Sequence, residues 1–227
     1  YVPHHWTGFQ GIRKLPPGHL LTFESGRLEV RPYWRLQPQE KLTLKGPALE
    51  EAIRAQLDEA VKLRMISEVP IGAFLSGGVD SSAVAASMAL QAGKPVQTFS
   101  IGFEEAAYDE TAHARAVAAR IGAEHREETV RPDAMVLLPK LAWHYDEPFA
   151  DSSAIPTFQV SAHARRHVTV ALTGDGGDEA YAGYVTYPWA RRFASLDRIP
   201  RGVRGARRAS VRCLRLIGDE LYQSRFA

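Results

Sequence analysis

Seven residues, Ser76 to Ser82, read SGGVDSS. They hold three hydroxyls, two adjacent glycines and one carboxylate, between an apolar run ending at Leu75 and an alanine-rich stretch from Ala83 to Leu90. A loop of this kind, leading from a strand into a helix, suits an anion. The helix start offers unpaired N–H groups and a partial positive charge. Gly77 and Gly78 let the backbone approach closely, and Ser76, Ser81 and Ser82 add donors. Asp80 would repel a phosphate unless a divalent cation lay between them, as Mg²⁺ commonly does. The plainer reading of the same residues is a capped helix after a glycine turn. The loop is neither G-x-x-x-x-G-K-[ST] nor G-x-G-x-x-G.

A second glycine loop, LTGDGGDEAYAGY from Leu172 to Tyr184, carries Asp175, Asp178 and Glu179 among four glycines. Taken alone it is an acidic surface turn. Paired with the first loop it reads as the carboxylate side of a nucleotide and metal site. Both loops follow short apolar runs, VPIGAFL and HVTVAL, and VQTFSI forms a third. These predict strands over 69–75, 96–101 and 167–172. Helices are expected from Leu49 to Met65 (apolar residues spaced by three and four), Ser82 to Leu90, Asp109 to Ile121 and Ser153 to Arg166. Apolar strands alternating with helices predict an α/β fold, a parallel sheet with helices on both faces. Ligands in such sheets lie beyond the carboxyl ends of the strands. The first 40 residues differ: GIRKL, HLLTF and LEVRPYW, broken by PPG and SGR, predict a short β-hairpin segment. Tyr33 and Trp34 are expected to close it onto the sheet domain.

The 227 residues are 45% hydrophobic, enough for a core, and hold no apolar run of membrane-spanning length. No membrane partner or secretory signal is expected, and the single cysteine, Cys213, excludes a disulfide framework. These features fit a cytoplasmic protein. The chain opens on Tyr1 without a methionine, which suggests a piece of a longer one. The net charge of +2 is uneven: residues 191–227 carry ten arginines against three acids. Such a segment reads as a solvated, helical extension. Nucleic acid is the weaker alternative, since aromatic interleaving is sparse. His4 and His5 have no second ligand cluster to make a metal site with. His144, before Tyr145, Asp146 and Glu147, is more ordinary than catalytic.

The motifs SGGVDS, VPIGAFLSGGVDSS, FSIGF followed by YDETAHARAVAARIG, DEPFADSSAIPT and ALTGDGGDEAYAGY resemble the synthetase domain of glutamine-hydrolysing asparagine synthetases, within the N-type ATP pyrophosphatases. The likeness spans about Val69 to Tyr184, and FQGIRKLPPGHLLTFESGRLEVRPYW looks like the end of that family's glutaminase domain. The resemblance implies an adenine nucleotide alpha hydrolase-like (PP-loop) fold. It divides the chain into a glutaminase hairpin and linker at 1–40, an incomplete synthetase domain at 41–190 and a basic extension at 191–227. It implies ATP and Mg²⁺, aspartate or another carboxylate as acceptor, ammonia from a glutaminase domain, and room for a homodimer. Ser76, Gly77, Gly78, Ser81 and Ser82 would hold pyrophosphate, and Asp80 and Asp178 the metal. Phe74, Ile101, Thr173 and Gly174 would surround adenosine. Asp175 would act in forming and consuming the adenylate, at a position where the family often has Glu. A related amidotransferase on a polysaccharide-linked acid, an RNA-modifying PP-loop enzyme and a non-catalytic nucleotide module remain alternatives.

Overall fold

A computed structural model of the chain describes residues 2, 5–37, 41–105, 109–131, 133–147, 149 and 151–196. The basic segment from 197 onward, with Cys213, lies outside the described residues, as does His4. The chain forms two compact units, 1–174 and 175–227.

The first unit opens with a hairpin of β1 (His19–Glu24) and β2 (Arg27–Pro32), paired antiparallel with Leu21 opposite Val30 and Phe23 opposite Leu28. The tight connection is Ser25-Gly26, both at positive φ. GIRKL forms no strand. It lacks an alternating partner, and Thr7 instead ties Phe9 and Ile12 into a local turn through its hydroxyl. Tyr33 and Trp34 do not close the hairpin onto the sheet domain. Both are more than half exposed, and their N–H groups bond back to Gly18 O. An ion pair between Lys14 and Glu147 ties the N-terminal segment down.

α1 (Pro47–Arg64) follows, with proline in its first turn and Lys62 and Arg64 in its last, both placed where the helix dipole favours them. A four-stranded parallel sheet then runs in the order β5-β4-β3-β6: β3 (Ile71–Phe74), β4 (Gln97–Phe103), β5 (Glu124–Val130) and β6 (Val170–Leu172). Three helices pack on one side, α1 ahead of β3, α2 (Val79–Gln91) between β3 and β4, and α3 (Thr111–Ile121) between β4 and β5; they bury Ala73, Leu75, Ala85, Met88 and Ala114 against one another. On the other face, α5 (Ala154–Arg165) packs over Phe99 with Phe74, Val160, Ala164 and Val168. Period-2 alternation separates these sets, since Ala73 and Leu75 point one way and Phe74 the other. The expected parallel sheet with helices on both faces is therefore present, with the hairpin before it.

The sequence pattern marks neither β5 nor α4 (Ala134–Tyr145). β5 is an edge strand of sequence EHREETV, mostly exposed, so it carries no apolar signature. Its register is held by paired strand bonds and by His125, whose ring nitrogens lie 2.9 Å from Thr98 Oγ1 and 3.2 Å from Ser100 Oγ. α4 contains Pro139, which argues against a helix. It forms nonetheless, capped by the Asp133 carboxylate accepting from Met135 N, and buries Leu137 and Leu141 against Ala154.

The second unit, where described, holds α6 (Gly177–Tyr181) and α7 (Thr186–Leu196). Among the described residues no helix is long and apolar enough to cross a membrane.

Candidate functional site

The glycine–serine loop leaves β3 at Phe74 and enters α2 at Val79. The helix starts earlier than the sequence suggested, because Val79 and Asp80 already have helical geometry. Gly77 sits at φ +84, a conformation open to glycine at no steric cost. A Cβ there would meet Ala114 N and His113 C at 2.7 Å each, so the loop lies directly on the α3 backbone. Gly78 is the N-cap of α2, and no side chain caps this helix. The first bond of the helix runs from Ser82 N to Gly78 O at 3.0 Å, so the amides of Val79, Asp80 and Ser81 precede the intrahelical ladder.

The serines do two jobs. Ser76 Oγ accepts from Gly78 N at 3.2 Å and lies 2.9 Å from Ser81 Oγ, while Ser81 Oγ accepts from Ser76 N at 3.3 Å. These bonds set the shape of the loop rather than cap the helix. Ser82 Oγ is buried with no hydrogen-bond partner among the described residues. A buried hydroxyl without a partner is costly, and this one stands in the first turns of a helix whose start has no side-chain cap. Gly174 closes the other side: a Cβ on it would lie 2.6 Å from Ser81 N and 3.0 Å from Asp80 C. The end of β6 thus presses on the first turn of α2, and only a residue without a side chain fits.

Beyond the carboxyl ends of β3 and β4 lies a cavity of about 200 Å³, lined by Phe74, Ser76, Phe99, Ile101 and Phe103 with Glu110 and three α5 residues, Pro156, Thr157 and Val160. Ser76 belongs to both the loop and the cavity wall, so the two adjoin. The structure therefore brings together Phe74, Ser76, Gly77, Gly78, Asp80, Ser81, Ser82, Ile101 and Gly174, with Thr173 next to Gly174 at the end of β6. Glu110, Phe103 and the α5 residues were not picked out from the sequence. Their contribution depends on helix placement, which no local pattern encodes. A larger cavity, about 680 Å³, runs along β6 and is lined by Leu141, His144, Tyr145, Phe158 and Arg165 among others. It places His144 in the wall of this cavity, which shares Phe74 with the smaller one.

Asp175 and Asp178 belong to the second unit. Asp178 lies in the first turn of α6, after Gly176 at φ +94. Its carboxylate packs on the Gly183 backbone, so closely that a side chain on Gly183 would overlap it. Tyr184 donates to Glu179 Oε1 at 2.8 Å, and that bond holds the phenol protonated, its pKa raised to about 12. Among the described residues no three His, Cys, Asp or Glu side chains gather as a metal cluster. Mg²⁺ needs none, since it keeps several waters and takes phosphate oxygens besides one or two carboxylates.

The asparagine synthase family model matches residues 52–225. Asparagine synthetase (glutamine-hydrolyzing) 1 of Bacillus subtilis is 35% identical over 206 residues, 90% of this chain and 32% of that protein. "Putative asparagine synthetase (glutamine-hydrolyzing) 2" of Methanocaldococcus jannaschii is 38% identical over 208 residues, 90% of this chain and 40% of its own length. Amidase chyE of Penicillium rubens is 32% identical over 201 residues, covering 78% of this chain and 30% of the amidase. The chain thus spans about a third of the length of the curated relatives it matches. With the family model covering most of the chain, the chain belongs to the asparagine synthase family.

Proposed function

We propose that this chain carries the ATP-binding core of an amide-forming ligase. The ligase adenylates a carboxylate, in the first instance the aspartate side chain, and transfers to it ammonia released from glutamine. The observation that carries the reading is the uncapped start of α2, reached through a loop whose Ser76 also lines the largely apolar cavity at the strand ends. Phosphates belong at the first and a nucleoside in the second.

In this reading the amides from Gly77 to Ser81 and the hydroxyls of Ser76, Ser81 and Ser82 hold the β- and γ-phosphates. Phe74 and Ile101 pack on the adenine, with Thr173 and Gly174 along the other rim. The acceptor carboxylate attacks the α-phosphorus, the bond to pyrophosphate breaks, and the loop stabilises the charge that gathers on the leaving group. Ammonia then attacks the acyl carbon and AMP departs. Asp175 serves both steps by orienting the reacting groups and taking up the ammonium proton. Asp80 and Asp178 are the side chains that would hold Mg²⁺, which when bound neutralises phosphate charge. Residues 1–40 are the end of a glutaminase domain, 41–190 the synthetase domain and 191–227 its basic extension.

ATP–pyrophosphate exchange on the intact protein with Mg²⁺ tests this. Exchange of labelled pyrophosphate into ATP that depends on aspartate is the expected result, and Asp175→Asn should abolish it. Exchange that depends on another acid keeps the mechanism and changes the acceptor. ATP binding with no exchange across aspartate, polysaccharide-linked acids and ammonia would refute the ligase reading in favour of a nucleotide-binding module.

A further inference from the structure

Two adjacent acids stand at the start of α3 and are used differently. Asp109 is committed to the fold: its carboxylate accepts from Thr111 N at 3.2 Å and from Thr111 Oγ1 at 3.1 Å. Glu110 is the N-cap of α3, yet its side chain makes no cap bond. Among the described residues no hydrogen bond or ion pair uses its carboxylate, and the residue is exposed. It borders the 200 Å³ cavity together with Ser76, Phe74 and Ile101.

Its position along that cavity follows from the packing of α3. The Glu110 carbonyl accepts from Ala114 N at 3.1 Å, and Ala114 N is also the atom a Cβ on Gly77 would strike. Glu110 is thus one helical turn from the point where α3 touches the phosphate loop. Phe74, Phe99 and Val160 form the apolar part on the α5 face. A nucleotide whose phosphates lie on the loop and whose base lies among those apolar side chains has its sugar between the two. A carboxylate is an acceptor only, and the donors a sugar offers are its hydroxyls. Acidic residues read ribose hydroxyls in the same way in dinucleotide-binding sheets.

We propose that the Glu110 carboxylate accepts a hydrogen bond from a ribose hydroxyl of the bound nucleotide, and so makes this cavity selective for ribonucleotides. The proposal rests on the ATP-binding reading above and adds the group that reads the sugar. The plain alternative is an acid placed at a helix N-terminus for the dipole alone.

The test is equilibrium binding of ATP, 2′-deoxy-ATP and 3′-deoxy-ATP to the intact protein and to Glu110→Ala and Glu110→Gln. The protein is expected to bind ATP about tenfold more tightly than one of the two deoxy nucleotides, the size of one hydrogen bond to a charged group. Which analogue is penalised identifies the hydroxyl. In Glu110→Ala the ATP affinity should fall by about the same factor while that of the penalised analogue stays unchanged, the signature of a direct pair. Glu110→Gln, which keeps an acceptor oxygen, should fall between, and unfolding midpoints of both variants check that α3 is intact. Equal affinity for all three nucleotides, or a parallel loss of ATP and deoxy-ATP in Glu110→Ala, overturns the proposal and leaves the ATP site standing. Failure of the unsubstituted protein to bind any of the three overturns both together.

Discussion

Gly77 and Gly78 are neighbours in one loop, yet their replacement by alanine should have very different consequences. At Gly77 two costs add. The backbone is at φ +84, where a residue with a Cβ carries a penalty of about 1–2 kcal/mol. The new methyl would also sit 2.5 Å from His113 Cβ and 2.7 Å from two backbone atoms of α3, against about 3.5–4.0 Å for an unstrained contact. Relieving overlap with a helix backbone costs about 1–3 kcal/mol. The sum is about 2–5 kcal/mol, or a fall in unfolding midpoint of about 4–20 °C for a domain of this size. At Gly78 the backbone is at φ −66 and ψ 162, open to any residue, and the nearest atom is Ser76 Oγ at 3.2 Å, which can rotate. Alanine is a poorer N-cap than glycine but restricts the unfolded chain. These effects oppose, so the net change should stay within about 1 kcal/mol. Thermal and urea unfolding of the two variants side by side measure the difference. Midpoints of Gly77→Ala and Gly78→Ala that agree within about 2 °C would refute the geometry assigned to the loop.

Further outcomes follow from the same contacts. Gly174→Ala should weaken nucleotide binding and stability together, because its methyl would push on Ser81 N and the start of α2; calorimetric binding of ATP checks the first. Ser87→Ala should cost about 1.5–3 kcal/mol in urea unfolding, since the buried Ser87 hydroxyl donates to the Asp58 carboxylate and joins α2 to α1. His125 has its pKa pushed below the ordinary histidine value, chiefly by burial, with Glu127 opposing. The neutral ring is the folded form, so its contribution is complete above about pH 6.5 and lost as pH falls through the lowered value. The midpoint of His125→Gln should therefore change less than that of the unsubstituted protein between pH 7.5 and 5.5. The Tyr184 phenol, raised to about 12 by its bond to Glu179, should stay protonated while ordinary tyrosines ionise near pH 10. Ultraviolet titration should show one fewer such late tyrosine in Glu179→Gln.

The apolar strands β3, β4 and β6 could be read because each is a short run with a turn at its end. A strand covered on both faces is largely apolar, which is visible in VPIGAFL; in VQTFSI the buried polar residues Thr98 and Ser100 lie within hydrogen-bond distance of the His125 ring. The fourth, β5, could not be read for the same reason reversed. At the sheet edge Glu124, Arg126 and Glu127 are exposed, and the pairing that fixes the strand comes from β4. α4 was hidden by Pro139, whose helix-breaking tendency is overridden once Leu137 and Leu141 find Ala154 on α5. Tyr33 and Trp34 misled in the other direction. Large aromatics after a hairpin suggest burial, but here their backbone amides are held by Gly18 while the side chains stay exposed.

The site shows the same division between composition and placement. The residue types at 76–82 suit an anion by composition alone. What they do not state is why glycine is needed at 77 within the loop and at 174 in the segment that closes its other side. Gly77 clears α3 and Gly174 clears α2, and each clearance is from a backbone that arrives from elsewhere in the chain. With side chains at those two points, α3 could not lie on the loop and β6 could not reach the start of α2. The loop's free amides would then lose the walls that hold them in place. The shape of the loop is thus defined by where side-chain atoms are missing as much as by its donors. That part of the design is tertiary, which is why Glu110, brought beside the cavity by that same α3 contact, escaped a reading of the sequence and emerged only from the fold.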